Sequence, residues 1–494
     1  MRPYRDYYPQ DEAPREDGDV QFRGVNSKTG PENLPPQVVA WARNARFTNQ
    51  TVRKRRGRYV APWLHLFNGA QYLPWNGVIT AGQFSDPLTQ LVYLYVVTSG
   101  GVWRCLPGNQ PSPEALPAYV QLQKPCYLVQ AFGQLLLYRG QNHSVLVLNT
   151  VGGGFSELIK LYDSTVSYAV GAVVRYGPYT APSSITCSTA GIVTVVCSAE
   201  HGLAPGQMVR VAGAATAAYN GLFAVAVVDP LTFTYSTNCS AGAAGGSPTW
   251  SPETYVWQMG TPADASGTAP GAGGGHWTRY YFSMPNGSAP VYTGNRVLAA
   301  TAFLPGNISS GTTTSGAYGP KPDLVAVSDI LDPATVTLSD QFRINQGSAD
   351  SLLGLVAMGQ GQVIAIKSQS VHRLNNVTGD LSTLFLQQLP INWGGVNDRA
   401  FTVAAGTDLI VVAPQRGICS ITLTVTGESQ GVDIPLSDPI DPTIRRINWG
   451  YSDVPRVAYV NNRLYAAVPL DGGTCLGVDL VAGCTPVLVN QAIP

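Results

Sequence analysis

The sequence is short of charge. Asp, Glu, Lys and Arg make up 12% of its 494 residues, against roughly 25% in an ordinary soluble domain. A surface with so little charge relies on neighbouring surfaces to cover it, so the composition favours a subunit of a large assembly over a free-standing extracellular β protein. Lys+Arg and Asp+Glu balance at 30 each, and no global field draws the chain to nucleic acid or an anionic membrane. Long apolar runs are missing as well: none approaches the ~20 residues of a membrane helix. Met1–Val20 is charged and proline-rich and lacks the apolar core of a signal peptide. The cysteines (Cys105, Cys126, Cys187, Cys197, Cys239, Cys419, Cys475 and Cys484) form no CxxC pair. They are expected as buried thiols rather than as a disulfide or zinc framework.

Catalytic patterns are absent too. His65, His143, His201, His276 and His372 have no metal spacing, and there is no HExxH, P-loop, GxSxG elbow or GxGxxG after a strand. No catalytic residue, metal or cofactor is therefore expected, and Gly152-Gly-Gly and Gly273-Gly-Gly read as linker glycines. Asp329, Asp332, Asp340 and Asp350 lie close in sequence, but each sits at a turn. They are read as turn caps and not as a carboxylate pair across a glycosidase cleft. His372 reads as a strand histidine. Trp393-Gly-Gly and Trp449-Gly-Tyr are compatible with stacking sugars, but bracing of turns is the preferred reading.

What the chain does have is turns and short strands: 53 Gly and 37 Pro against a hydrophobic share of 45%. From Lys321 to Asp471, apolar runs alternate with polar turns, as in Leu352–Ala357, Gln362–Lys367, Ser370–Leu374 and Phe401–Ala404. Leu409–Ala413, Ile418–Thr424, Arg456–Val460 and Arg463–Val468 continue the series. Strands at a spacing of roughly 8–12 residues predict an all-β sandwich, barrel or propeller, and a β-propeller is the reading adopted. Val78–Val102, Tyr127–Tyr138 and Ser144–Leu148 repeat the theme. Between these halves the pattern changes. Asp163–Ala181 and Ile185–Thr237 read as small β modules, and Ala241–Gly275 as a linker interrupted by Thr254–Met259. Trp277–Phe282 and Val291–Ala302 return to the strand-and-turn rhythm of the propeller halves. The expected organisation is an extended N-terminal arm (1–37), a first propeller half (38–160), inserted modules and linker (161–275), and a second half (276–494). Lengthening a surface loop costs only ~0.6 kcal/mol per doubling, so such an insertion is tolerated.

Two stretches are candidate contact sites. Arg53, Lys54, Arg55, Arg56 and Arg58 put five cations at one hairpin end, either a phosphate contact or, the preferred reading, a solvated hairpin end or subunit salt-bridge site. The Gly/Ser/Thr loop from Asn307 to Pro320, with Gly311, Gly316 and Gly319, is long enough for a mobile tip or partner contact. The sequence closes on Val487-Leu-Val and Ile493-Pro494, which reads as an end that continues further or packs on a neighbour.

Three segments carry a family resemblance. FRGVNSKTGPENLPPQVVAWARNARFTNQTVRKRRG (Phe22–Gly57) resembles the opening of phage tail propeller proteins. Ser328–Asn376 and Leu436–Gly472 look like blades of the nozzle, of the tail tubular protein B type, of short-tailed bacteriophages. Glu200-His-Gly-Leu-Ala-Pro-Gly with Tyr219-Asn-Gly-Leu-Phe and Phe233-Thr-Tyr resembles a small β module of phage tail proteins. Asp163–Ala181 is similar to the first half of a chitin-binding-type module, without a clear aromatic partner half. The resemblance implies a virion protein, a propeller subunit of a homo-oligomeric ring of six copies at the end of a tail. It further implies passage of viral DNA without sequence-specific binding, docking to an adaptor ring and to fibres or spikes, contact with the host surface, and no enzymatic activity. A carbohydrate-binding or glycan-cleaving tail spike is the alternative.

Overall fold

The computed structural model describes residues 78–303 and 320–469 with interruptions, the strand Val487–Ala492, and six short strands ahead of residue 78. Five four-stranded antiparallel meanders run through it in chain order. The first sheet holds Val78–Ser85, Val92–Thr98, Gly101–Cys105 and Ser112–Glu114. The second holds Tyr127–Ala131, Gln134–Tyr138, Leu146–Leu148 and Phe155–Glu157. Ser288–Thr293, Arg296–Phe303, Pro320–Val327 and Gln341–Arg343 form the third. The fourth consists of Leu352–Ala357, Val363–Lys367, Val371–Asn375 and Phe385–Gln388. The fifth consists of Phe401–Ala404, Asp408–Ala413, Gly417–Leu423 and Ser429–Gly431. A sixth sheet has three described strands, Arg456–Tyr459, Arg463–Val468 and Val487–Ala492.

The sheets stack face to face, which explains why their strands read as unbroken apolar runs rather than as alternations. In Gln134–Tyr138, Leu135 and Leu137 enter a core shared with the first sheet, while Leu136 and Tyr138 enter one shared with Val297 and Ala299 of the third. In Val363–Lys367, Val363 and Ala365 face the third sheet and Ile364 and Ile366 the fifth. Leu409 and Val411 face the fourth sheet, and Ile410 and Val412 face Leu464 and Ala466 of the sixth. The first strands of neighbouring sheets lie side by side, first against second, second against third, third against fourth, and fifth against sixth. On the fourth sheet a Cβ at Gly354 would lie 2.2 Å from the Phe401 ring of the fifth, so glycine permits the close approach there. Radially stacked four-stranded meanders with their first strands innermost are a β-propeller.

The insertion lies between Glu157 and Ser288 and is nested. Val173–Arg175, Tyr255–Met259 and Trp277–Ser283 make an outer three-stranded sheet. Within it sits a sandwich whose five-stranded sheet orders Ala226–Asp229, Thr232–Ser236, Ile192–Val196, Ser184–Cys187 and Gly242–Ala243. Its three-stranded sheet orders Gly221–Ala224, Met208–Ala214 and Gly246–Ser251. Val193, Val195, Val209, Val211, Phe233 and Trp250 fill the core between them.

Three expectations need correcting. Trp277–Ser283 belongs to the insertion, because its register partner is Tyr255–Met259 and not a propeller strand. Much of the supposed linker 241–275 is strand: Gly246 pairs with Ala214 across a bulge, where a Cβ would come within 2.7 Å of the Gly213 carbonyl. Val291–Ala302, by contrast, does return to the propeller, as a hairpin of the third sheet turned at Gly294-Asn295 with Asn295 at φ 57°, a left-handed position that Asn tolerates. Finally, Cys187 and Cys239 are disulfide-bonded across a sequence separation of 52, whereas Cys105, Cys126, Cys197 and Cys419 are buried thiols. Sequence spacing carried no sign of that bridge, since the sandwich fold is what brings its ends together.

Candidate functional site

Most of the sequence-derived candidates lie outside the described residues. Asn307, Gly311, Gly316 and Gly319 do, as do Arg55, Arg56 and Arg58. Arg53 and Lys54 fall on Thr51–Lys54, which pairs with Ala45–Thr48 as the expected hairpin. Of the N-terminal arm, 1–37, only Gly24–Val25 is described, paired in parallel with Val38–Val39. The strands still fix where these segments join the propeller. In an antiparallel meander the start of strand one, the turn between strands two and three, and the end of strand four share one edge. The chain ahead of Val78, the insertion after Glu157, and the loop between the paired residues Phe303 and Pro320 all leave from that edge. The strand ends at Val78, Glu157, Phe303 and Pro320 therefore open on one face of the propeller.

At the centre of that face lies a polar cluster that sequence reasoning missed. Asn397, Asp398 and Arg399 lead into the first strand of the fifth sheet. The Arg399 guanidinium donates to the Ile79 carbonyl and, at 2.7 Å, to the Cys126 carbonyl. It lies 5.2 Å from the centre of the Tyr127 ring, within cation–π range, and the Tyr127 hydroxyl donates to the Asp398 carboxylate. Asn397 Nδ2 donates to the carbonyls of Ser452 (2.7 Å) and Pro455 (3.0 Å). Burial pushes the Tyr127 phenol up, with Asp398 adding to the effect; burial also lowers Arg456, whose charge Asp398 supports. Nothing in the local sequence VNDRA marks this cluster, because its partners lie far along the chain, from 55 residues away at Ser452 to 320 at Ile79.

Two buried ion-pair groups hold the insertion. Glu157 Oε2 accepts from Arg175 at 2.7 Å, and its Oε1 accepts from Ser144 Oγ at 2.6 Å with Arg139 at 3.8 Å. Glu157 ends the second sheet and Arg175 belongs to the inserted sheet, so the pair ties the insertion to the propeller. Burial drives the neighbouring His143 imidazole down to about 3, reinforced by Arg139 and Arg175, so it stays neutral. Further out, Glu253 is 0% exposed and receives Arg210 Nε, while Arg210 also donates to the Tyr162 carbonyl at 2.8 Å. Burial raises the Glu253 carboxyl to about 7 against the pull of Arg210. Burial works against the Arg210 charge too, but Glu253 outweighs it and raises the guanidinium. Two attracting ions that both lose water leave the carboxylate easier to protonate.

The remaining candidates resolve into structural roles. Asp350 accepts from Ser368 Oγ, Gln369 N and Ser370 Oγ, bracing the turn between two strands of the fourth sheet. Asp332 accepts from Ala334 N and Thr335 Oγ1, and Asp329 from Ile330 N. His372 Nε2 lies 3.0 Å from Ser370 Oγ, a grouping that superficially suggests a nucleophile and base. The hydroxyl proton goes to Asp350, however, and Ser370, His372 and Asp350 are all buried. The loop at Gly152-Gly-Gly wraps an anion after all, the chain's own Glu114, through the amides of Gly152 and Gly154 at 3.0 and 3.2 Å. Trp393 is 6% exposed and packs between the fourth and fifth sheets, leaving no face for a sugar. Trp449 packs against the cores beside the sixth sheet. Both tryptophans brace, as preferred. Among the described residues no group of His, Cys, Asp or Glu is placed to hold a metal ion.

No family model matches the chain, and no curated protein does. Similar solved structures include apo AztD from Citrobacter koseri, at 11% identity and TM-score 0.35 over 81% of this chain and 82% of that one. Hsv2 from Kluyveromyces marxianus is 7% identical, with TM-score 0.28 over 80% and 89%. An endosialidase of phage phi92 is 14% identical, with TM-score 0.24 over 80% and 60%. Scores this low carry no argument about activity, and the propeller rests on the strand pairing itself.

Proposed function

We propose that the chain is a structural subunit of the tail nozzle of a short-tailed phage, a wall unit of a ring-shaped conduit and gate for DNA. The observation that supports this best is the one-sided build: the N-terminal segment, the insertion and the loop after Phe303 all leave one face of the propeller. Long segments grouped on one face of a rigid scaffold suit docking, here to copies of itself, to an adaptor ring and to fibres or spikes. The resembling segments also fall on structural units: Ser328–Asn376 covers the end of the third sheet and most of the fourth, and Leu436–Gly472 leads into the sixth. The low charge of the chain fits a surface that neighbours cover. In this reading the protein is not an enzyme, and the loop from Asn307 to Gly319 and the cluster Arg53–Arg58 are contact elements. Mass measurement of the purified protein and electron microscopy of intact particles test it. A ring located at the tail tip is expected; a strict monomer that never enters virions rejects the proposal.

A second reading, a carbohydrate-binding module on a tail spike, is favoured by one observation. The half-module Asp163–Ala181 has a partner half that sequence did not reveal: Val173–Arg175 pairs with Tyr255–Met259, and Trp257 Nε1 donates to the Tyr176 carbonyl at 2.9 Å. Its rings turn toward one another, however. Tyr162 stacks on Tyr168 at 5.7 Å, and Trp277 meets Tyr162 and Tyr168 edge-on at 5.8 and 5.3 Å. That arrangement makes a core more readily than a sugar platform. Specific signals on a glycan array, or cleavage in a depolymerase assay, decide for this reading.

A further inference from the structure

Five apolar cores join neighbouring propeller sheets, from first–second to fifth–sixth. Among the described residues none joins the sixth sheet to the first. One tripeptide at the head of the fifth sheet makes polar contacts on both sides of this seam. Asn397 binds the carbonyls of Ser452 and Pro455, and the Arg399 carbonyl receives Val457 N at 3.4 Å, all at the entry of the sixth sheet. Arg399 then reaches the Ile79 carbonyl in the first sheet and the Cys126 carbonyl before the second, while Asp398 receives the Tyr127 hydroxyl. With the six sheets of the described residues set in a ring, the second and fifth stand opposite each other across the axis. A side chain that leaves the fifth and bonds at the second must therefore span the bore.

We infer that Asn397–Asp398–Arg399 is a clasp that closes the ring at the sixth–first seam and plugs the propeller's own bore at the decorated face. The chemistry suits the task. Arg399 presents a planar fork of donors to two carbonyls held by different sheets, and lysine, with a single point of attachment, lacks that reach. Asp398 neutralises the guanidinium beside it, at 3.7 Å, while accepting a hydrogen bond from the Tyr127 hydroxyl. The clasp stands whether or not the chain is a nozzle subunit. If it is one, anything that moves through the assembly passes between copies and not along the axis of a single propeller.

Hydrogen exchange on the intact chain, followed by mass spectrometry, tests the clasp. Loss of a hydrogen-bonded charged group is expected to speed exchange about ten- to a hundredfold in Arg399→Ala at two places, Val78–Ser85 and Arg456–Tyr459. Val363–Lys367, enclosed between apolar cores, stays at its original rate. Arg399→Lys falls between the two. Should Arg399→Ala fail to fold, Tyr127→Phe, which removes one hydroxyl only, shows the same pattern at smaller amplitude. Uniform acceleration over all six sheets, or no change at the seam, overturns the inference.

Discussion

The propeller and its insertion are held together by different forces. Each interior propeller sheet is apolar on both faces and is bound to its neighbours mainly by dispersion and burial, as at Leu135/Leu136 and Ile364/Ala365, with scattered hydrogen bonds such as Lys367 Nζ to the Ile344 carbonyl. The insertion has its own sandwich core and a disulfide, and it meets the propeller through buried charge, Glu157 with Arg175, while a second buried pair, Glu253 with Arg210, ties its sandwich to its outer sheet. Apolar stacking tolerates small slips, whereas a desolvated ion pair is satisfied in one geometry only. The difference teaches that the propeller is built for strength and the joint for orientation, at the cost of sensitivity to any change that leaves a charge alone.

The sharpest way to break this contrast is at the joint. Glu157→Ala leaves Arg139 and Arg175 buried without their carboxylate, and a loss of about 3–5 kcal/mol is expected. Urea unfolding should split into separate transitions for the insertion and the propeller; a single unshifted transition would contradict the role given to the pair. Ile366→Ala opens a cavity between the fourth and fifth sheets and is expected to lower the propeller transition by about 2–5 kcal/mol while sparing the insertion. Removing the Cys187–Cys239 bridge, by reductant or as Cys187→Ser with Cys239→Ser, should cost the sandwich about 2–4 kcal/mol, visible by calorimetry as a shift of one transition only.

Proton linkage separates the regions more gently. Burial raises the folded-state pKa of Glu253 from 4.5 to about 7, so the folded chain holds that proton more tightly than the unfolded chain does. Its contribution to stability is fully present below about pH 4.5 and is lost as pH rises through about 7. Glu253→Gln, which mimics the protonated form, should flatten the pH dependence of the sandwich transition across that window and leave the propeller alone. An unchanged slope would show that Glu253 ionises freely in the fold. The smallest effect belongs to Leu88, 85% exposed on the tip of the first hairpin. Leu88→Ser should change stability by less than about 0.5 kcal/mol.

Legibility in the sequence followed the same division. Inner propeller strands could be placed within a residue or two, as at Leu352–Ala357, Phe401–Ala404 and Arg463–Val468, because each is a short apolar run closed by its own turn, whereas outer strands such as Ser112–Glu114, Gln341–Arg343 and Phe385–Gln388 were not placed. The insertion was legible only in part. Its outer sheet joins Val173–Arg175 to Tyr255–Met259 across the whole sandwich, and no local pattern announces a pairing of that span. The candidate site was the least legible. Asn397, Asp398 and Arg399 form an ordinary polar turn in the sequence, and only ring closure sets Ile79, Cys126 and Tyr127 around them.

The low charge, the turn-bounded apolar runs and the break in rhythm near residue 161 determined by themselves that this is an all-β chain with an interrupted propeller. Those are local properties, fixed by the preference of each short segment for pleated, buried backbone. Which sheets meet, which cysteines bond, which carboxyl is pushed up by burial and which arginine crosses the bore were decided by tertiary structure. Each depends on groups far apart in the chain, and desolvation acts on them only once the fold has brought them together.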